Sequence, residues 1–259
     1  MDYLKELEVA KEAAVLAGHA IMKIYDTEDF GVEMKGDNSP LTKADKESNR
    51  IIVELLRQHF PEHAILSEEE KDSRERLEND LCFVVDPLDG TKEFIKRNGQ
   101  FTVNIALSYQ HRSVMGVIYV PVTEELYYAA EGYGSFMEKD GVVTKLQVSR
   151  EKKEKSELNV VMSNSHGCPE MEELLEKYQL KNFIKVGSSL KGCMVARGDA
   201  DVYYRHNPTM EWDTAAMQCI VEEAGAIFRQ MDDTPMLYNR ENSLNDKGFY
   251  IINDPANKL

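Results

Sequence analysis

Two aspartates that follow an apolar run are the residues of this chain best suited to chemistry. The run LCFVV (residues 81–85) leads directly into DPLDGT (residues 86–91). Apolar residues closed by turn residues are typical of a buried strand, which would place Asp86 and Asp89 together at the edge of a core. Two adjacent carboxylates repel each other and are costly to bury unless a cation lies between them. The pattern fits either an ordinary turn or a metal site.

Three further acids stand at the ends of predicted elements. Glu68 follows directly on a short predicted strand, and Asp213 lies in the first turn of a predicted helix. Asp45 comes three residues after Thr42, which is the spacing of a capping box. Each acid also has an ordinary explanation, because solvated loops and helix N-termini commonly carry carboxylates.

Taken together, the acids predict a site for a hard cation. Carboxylates, a backbone carbonyl and water suit Mg²⁺, and no His or Cys cluster in the sequence competes for zinc. Several Mg²⁺ ions beside helix N-termini imply phosphoryl chemistry, because metal ions activate water and neutralise the leaving oxygen. The Thr91 hydroxyl, paired with Asp45, could orient or deprotonate that water. No Walker loop or kinase motif is present, which favours hydrolysis of a phosphate ester over transfer from ATP.

The elements that must position these residues divide into two halves. Residues 4–24 show the periodicity of a long amphipathic helix, and a second helix should begin after Thr42. An antiparallel meander is predicted over residues 101–107, 113–120 and 126–130. Beyond a charged segment near residue 150, strands and helices alternate. We therefore predict an α+β domain over residues 1–152, whose sheet carries most of the metal ligands, and an α/β domain over residues 153–259, which contributes Asp213 and nucleotide contacts.

Composition narrows the possible partners. The net charge of −15 over 259 residues disfavours binding to a nucleic acid polymer, although bound cations would let an acidic protein handle a small phosphorylated substrate. No segment is apolar enough to span a bilayer and no signal peptide is recognisable, so a cytoplasmic location is expected. The four cysteines lie far apart and are expected to be reduced. The polar residues 71–80 predict a mobile surface loop.

Several motifs, in this order along the chain, resemble those of the inositol-monophosphatase superfamily, whose members are Mg²⁺-dependent, lithium-sensitive phosphatases. The stretch DPLDGTKEFIKRNGQFTVNIAL (residues 86–107) is most similar to the 3'(2'),5'-bisphosphate nucleotidase branch. The other matching motifs are DNSP (37–40), LSEE (66–69), GSSLK (187–191) and WDTAA (212–216). The resemblance covers nearly the whole chain.

This resemblance implies a fold and a set of site residues. The fold would be a layered αβαβα sandwich with the site between two domains. The implied metal ligands are Glu68, Asp86, Asp89, Asp213 and the carbonyl of Leu88. Asp45, Thr91 and Glu68 would serve the nucleophilic water, and Gly90 with Thr91 would hold the scissile phosphate. Two to three Mg²⁺ ions and inhibition by Li⁺ are expected.

The resemblance also implies a nucleotide substrate. The implied substrate contacts are Gly90, Thr91, Ser165, His166, Ser188, Ser189, Lys191 and Asp213. Two have ordinary alternatives, since His166 fits a loop and Ser188 fits a helix N-cap. Inositol monophosphatases carry an acid shortly before the Trp-Asp pair, whereas residues 203–209 (YYRHNPT) have none and offer cationic and aromatic side chains for a second phosphate and a base.

The expected activity is Mg²⁺-dependent removal of the 3'-phosphate from adenosine 3',5'-bisphosphate (PAP), giving AMP. The sulfated relative PAPS is a further expected substrate, which would connect the enzyme to sulfate assimilation. The alternatives are an inositol or fructose-bisphosphate phosphatase of the same fold, or a binding protein that has lost turnover. Peripheral association with an inner membrane is compatible with all of these predictions.

Overall fold

The structure is a computed structural model that describes residues 2–27, 29–36, 39–164 and 169–259. Within these ranges the helices are α1 (Leu4–Tyr25), α2 (Lys43–His59), α3 (Thr91–Ile95), α4 (Pro169–Lys177), α5 (Leu190–Arg197) and α6 (Glu211–Glu223). The first nine strands are β1 (Glu33–Met34), β2 (Pro40–Leu41), β3 (Ala64–Ser67), β4 (Leu81–Asp89), β5 (Thr102–Tyr109), β6 (Arg112–Val120), β7 (Glu125–Ala130), β8 (Gly134–Lys139) and β9 (Val142–Lys145). The remaining strands are β10 (Asn159–Ser163), β11 (Asn182–Val186), β12 (Val202–Arg205), β13 (Thr209–Met210), β14 (Ile227–Gln230), β15 (Leu244–Asn245) and β16 (Phe249–Ile252).

A seven-stranded sheet forms the first half of the fold. Its strand order is β3-β4-β5-β6-β7-β8-β9, with β3 parallel to β4 and every later pair antiparallel. The predicted meander is confirmed and continues through the hairpin β8–β9, which the sequence patterns did not predict. Nearly every residue of β5 and β6 is buried, because helices cover both faces of the sheet.

A five-stranded sheet forms the second half. Its order is β11-β10-β12-β16-β14, in which β10 is parallel to both neighbours and β16 is antiparallel to both of its own. The predicted alternation of strands and helices is confirmed here. Helix α5 ends at Gly198, whose φ of +84° provides the left-handed C-cap expected from the sequence.

The helices and sheets stack in five layers. Helices α1 and α2 pack on one face of the seven-stranded sheet, while α5 and α6 lie between the two sheets. Helix α4 packs on the outer face of the five-stranded sheet. The predicted αβαβα sandwich is therefore confirmed, whereas its division into two domains at residue 152 stays a prediction. No helix in the described residues is long and apolar enough to cross a membrane.

Helices α1 and α2 both agree with the sequence patterns. Helix α1 buries an alanine-rich stripe, with Ala10, Ala14 and Ala17 fully inaccessible to solvent. Helix α2 begins with the predicted capping box, in which the Thr42 hydroxyl accepts from the amide of Ala44 and the Asp45 carboxylate accepts from the amide of Thr42.

The segment 71–80 is not the simple surface loop that its polarity predicted. It contains a 3₁₀-helix over Glu75–Glu78, and Arg76 within it is only 4% exposed. The Arg76 guanidinium donates to Asp72, to the side chain of Asn239 and to the carbonyl of Arg240. A charged residue can be buried here because Asp72 and the distant segment 239–240 accept hydrogen bonds from all three nitrogens of its guanidinium.

Candidate active site

The DPLDGT motif forms a β-bulge and not the turn predicted for it. Strand β4 continues through the motif: Asp86 pairs with Asn104 and Asp89 with Thr102, so three steps on β4 oppose two on β5. The chain turns only afterwards, at Gly90, whose φ is +96°.

The bulge explains how two aspartates three positions apart reach the same side of the sheet. In a regular strand, residues i and i+3 point to opposite faces. Val84 packs towards α6, whereas Leu88 packs with α1 and α2, so the alternation shifts by one residue between them. Asp86 and Asp89 consequently both face α6. The Ser48 hydroxyl holds the bulge by donating to the carbonyl of Pro87 at 2.6 Å.

Asp86, Asp89 and Asp213 form a three-carboxylate cluster. Each offers one oxygen, and these oxygens all lie within 4.8 Å of one another. Helix α6 supplies Asp213 from its first turn, where the carboxylate also accepts from the amide of Met210 at 2.6 Å. The structure thus brings together, from both halves of the chain, three acids that the sequence suggested as metal ligands.

The cluster is electrostatically strained without a cation. Burial, and then repulsion from Glu68, Asp89 and Asp213, raises the pKa of Asp86 well above its ordinary value. Burial and the nearby charge of Asp89 raise the pKa of Asp213 to about 7. A divalent cation would remove this penalty. The donor set, three carboxylates with Leu88 in the same cavity wall, fits Mg²⁺.

Glu68 lies in the same cavity beside a cation that the sequence reasoning missed. Lys35 Nζ lies 2.7 Å from Glu68 Oε1 and 2.6 Å from Glu69 Oε1. Burial raises the pKa of both acids, in Glu69 to about 7, and the Lys35 ammonium partly opposes that rise. No spacing rule connects a loop lysine with acids more than thirty positions later, so no sequence signal could have identified this contact.

Asp45 and Thr91 are paired as expected from the sequence. The Thr91 hydroxyl donates to Asp45 Oδ1 at 3.0 Å and lies 3.3 Å from the carbonyl of Leu88. Asp45 is buried behind Thr91, and burial raises its pKa. The catalytic role assigned to this pair stays a prediction.

A cavity of about 270 Å³ joins the acid cluster to the second sheet. Of the predicted substrate contacts, the residues that line it are Gly90, Thr91, Ser188, Ser189, Lys191 and Asp213. Ser165 and His166 lie outside the described residues, as do Asp37 and Asn38 of the DNSP motif. Ser189 is buried, and its hydroxyl donates to Asp89.

The wall opposite the acids is cationic. Lys191 donates to the carbonyl of Ser188 at 2.5 Å, and burial lowers its pKa to about 8. Arg205 also lines the cavity, and its buried Nε has no hydrogen-bond partner among the described residues. The sequence pointed to a basic, aromatic stretch here, but it did not place Arg205 in the site.

Glu211 is an acid close to the Trp-Asp pair that lies just outside the stretch 203–209. It stands directly before Trp212 but is fully buried and accepts from the backbone amides of Asn239 and Arg240. Glu211 is not among the residues that line the cavity. Glu211 therefore does not provide a carboxylate that could contact the hydroxyls of a sugar substrate.

The fold and the acid cluster define a class: layered αβαβα proteins with a carboxylate site for a hard cation between the sheets. Residues 2–254 match the inositol monophosphatase family model, and the chain belongs to that family. It is 42% identical to the 3'(2'),5'-bisphosphate nucleotidase CysQ of Escherichia coli K12, over 91% of this chain and 94% of that protein.

Solved structures agree with this assignment. The crystal structure of CysQ from Bacteroides thetaiotaomicron is 40% identical, with a TM-score of 0.83 over 96% of this chain and 98% of that one. The inositol monophosphatase from Anabaena (Nostoc) sp. PCC 7120 is 26% identical, with a TM-score of 0.79 over 99% of this chain and 94% of that one.

Proposed function

We propose that this protein is a Mg²⁺-dependent phosphatase that hydrolyses the 3'-phosphate of adenosine 3',5'-bisphosphate to AMP and inorganic phosphate. The observation that carries the proposal is one cavity with a three-carboxylate cluster on one side and Lys191 and Arg205 on the other. The acids suit a metal-bound scissile phosphate, and the cations suit a second phosphate. The name of the Escherichia coli relative, 3'(2'),5'-bisphosphate nucleotidase, supports a bisphosphorylated nucleotide as the substrate.

The residues that would hold Mg²⁺ are Glu68, Asp86, Asp89, Asp213 and the carbonyl of Leu88. In such sites Mg²⁺ lowers the pKa of bound water and neutralises the leaving oxygen. We propose two to three ions and inhibition by Li⁺. Lys35 would release Glu68 when a metal ion binds, because the ammonium and the ion need the same carboxylate.

Thr91 and Asp45 would orient the attacking water. Asp45 Oδ1 accepts a hydrogen bond from the Thr91 hydroxyl, which leaves a lone pair of the Thr91 oxygen free to accept a hydrogen bond from water. The oxygen of water would bond to phosphorus while the bond to the 3'-oxygen breaks; one proton of the water would stay with the phosphate, and the other would pass to the 3'-oxygen, which becomes the 3'-hydroxyl of AMP. The Gly90–Thr91 segment, at the start of α3, would hold the transferred phosphate.

The second phosphate of the substrate would lie against Lys191, Arg205 and Ser188. Arg205 supports this placement, because its buried Nε lacks a partner within the described ranges, and such a nitrogen is costly unless a ligand accepts its hydrogen bond. Glu211 supports it too, since that acid binds the protein backbone away from the cavity. A monophosphorylated sugar would leave these cations unpaired.

The test is phosphate release from adenosine 3',5'-bisphosphate, PAPS, inositol 1-phosphate and fructose 1,6-bisphosphate, measured in parallel. We expect the bisphosphorylated nucleotide to have the highest kcat/KM with Mg²⁺, and activity to be lost in EDTA and reduced by Li⁺. Absence of release from all four substrates would disprove the phosphatase assignment. Preference for inositol 1-phosphate would be consistent with the phosphatase assignment but would disprove the proposed substrate.

The metal assignment is tested by Asp89→Asn. We expect it to lower kcat by more than about 100-fold, because changes to the residues behind metal ligands already cost 10–100-fold. Asp140→Asn, at the exposed β8–β9 turn, makes the same change of charge far from the site and should leave turnover unchanged. Wild-type turnover in Asp89→Asn would show that this carboxylate does not bind the metal.

A further inference from the structure

We infer that Ser189 and Asn104 are positioning residues that hold the carboxylate of Asp89 in the metal site. The inference rests on the proposed function in one respect, that the cation held by Asp89 is Mg²⁺. It gives Ser189 a different role from the nucleotide contact that its motif suggested. It also gives a role to Asn104, a residue of the 86–107 stretch to which the sequence alone assigned no chemistry.

The two side chains converge on one oxygen of Asp89. Ser189 Oγ lies 2.8 Å from Asp89 Oδ2, and Asn104 Nδ2 lies 3.3 Å from the same oxygen. Asn104 Nδ2 also donates to Ser189 Oγ at 2.9 Å. Oδ1 of Asp89 is therefore the oxygen that remains for a cation.

The direction of these hydrogen bonds is determined by the donors available. The Thr102 hydroxyl lies 2.9 Å from Asn104 Oδ1, which makes the Asn104 oxygen the acceptor and turns its NH₂ group towards Ser189 and Asp89. The Ser189 oxygen accepts from Asn104, and its single proton has two acceptors within reach: Asp89 Oδ2 at 2.8 Å and the carbonyl of Asp213 at 3.4 Å. The shorter contact directs the proton to Asp89. Hydrogen bonds from hydroxyl and amide donors to a carboxylate are among the stronger ones in proteins.

The arrangement cannot be explained as helix capping. Ser189 is the N-cap residue of α5, where a serine hydroxyl ordinarily accepts from a backbone amide of the first turn. Its side chain makes no such bond here. Ser189 is 2% exposed and Asn104 is 1% exposed, so neither side chain is solvated. The hydroxyl of Ser189, from the second half of the chain, thus donates to a carboxylate in the first half.

Loss of this support should weaken metal binding. Without the donors, the Asp89 carboxylate would be free to rotate away from its like-charged neighbours, buried Asp86 and half-buried Asp213. Replacement of groups that orient metal ligands typically costs 10–100-fold in metal affinity. Substrate contacts on the opposite wall would be unchanged.

The experiment is Mg²⁺ titration by calorimetry, without substrate, of the wild type and of Ser189→Ala. We expect the Mg²⁺ Kd to rise by roughly 10–100-fold in Ser189→Ala, and Ser189→Thr, which keeps the hydroxyl, to restore most of the affinity. Asn104→Leu should weaken binding less, because Ser189 can still donate to Asp89. Thermal unfolding in EDTA verifies that each variant is folded.

Ser188→Ala is the matched control, since its hydroxyl makes no contact with Asp89. It should bind Mg²⁺ as the wild type does but raise the KM for the bisphosphate. At saturating Mg²⁺, Ser189→Ala should instead keep a near-normal KM.

Two outcomes would overturn the inference alone. One is a wild-type Mg²⁺ Kd in folded Ser189→Ala, and the other is a raised KM at saturating Mg²⁺ with unchanged Mg²⁺ binding, which would make Ser189 a nucleotide contact. A wild-type protein that binds Mg²⁺ but releases phosphate from none of the four substrates would overturn the proposed function and leave this inference standing. A wild-type protein that binds no Mg²⁺ would overturn both.

Discussion

At the scale of single residues, the site is a set of acids that the fold holds together at an electrostatic cost. Asp86 is buried, and Asp89 and Asp213 are half-buried within a few ångströms of it. The raised pKa values of Asp86 and Asp213 reflect that cost, because the folded chain favours their protonated forms.

The metal-free protein should therefore lose stability as the pH rises. The folded-state pKa of Asp213, about 7, exceeds its ordinary value of 3.8, so the folded chain binds more protons than the unfolded chain between these limits. The free energy of unfolding then falls as the pH rises through this window. We expect the Tm in EDTA to decrease from pH 5 to pH 8, and saturating Mg²⁺ to remove the decrease.

Asp213→Asn isolates the effect, because it removes one of the titrating groups and should flatten the dependence in EDTA. An increase of Tm with pH in EDTA, in the wild type, would contradict the electrostatic account of the cluster.

At the scale of elements, the site depends on how closely α6 approaches the seven-stranded sheet. Gly116 on β6 makes this approach possible: a Cβ there would overlap the carbonyl oxygen of Ala216 and lie 3.0 Å from its Cα. Ala216 and Asp213 are on the same helix, so the distance between α6 and the sheet also determines where Asp213 lies relative to the bulge in β4.

Gly116→Ala should push α6 outwards. We expect a loss of about 1–3 kcal/mol in the free energy of unfolding, the usual cost of overpacking, together with weaker Mg²⁺ binding. Chemical denaturation and Mg²⁺ calorimetry would measure the two effects. Gly36→Ala is the control, because a Cβ at that position meets nothing within 4 Å. Unchanged stability and Mg²⁺ binding in Gly116→Ala would show that the helix is not held at this contact.

At the scale of the whole molecule, a buried polar network ties the segment after Glu68 to the start of α6. Arg76 donates to the side-chain oxygen of Asn239, whose backbone N–H donates to Glu211. Glu211 also forms an ion pair with Arg240 and stands two residues before Asp213. The network thus connects the region of one predicted metal ligand with the helix that carries another.

Arg76→Met should destabilise the fold and loosen the site. We expect a loss of about 1–3 kcal/mol, because the side chain of Asn239 and the carbonyl of Arg240 would lose buried donors. Arg74→Met is the matched control: Arg74 is exposed and, within the described part of the chain, its side chain pairs with exposed Glu241, so its replacement should have little effect. Thermal unfolding of both variants makes the comparison, and an equal Tm for the two would disprove the role of the network.

The sequence by itself determined the features that arise from short-range patterns. The periodicity of α1, the capping box of α2 and the strands of the meander were all predicted correctly, because each depends on residues a few positions apart. The set of acids was also recognisable, since each follows or begins an element. The family resemblance added the layered fold, which the structure confirms.

Only the tertiary structure decided how these residues meet. The DPLDGT motif reads locally as a turn, and pairing with β5 makes it the bulge that brings Asp86 and Asp89 to one side. Contacts such as Lys35 with Glu68 and Ser189 with Asp89 join residues 33 and 100 positions apart. Such contacts depend on how helices and sheets pack, because packing sets the distance between elements while local sequence sets only the conformation within each one.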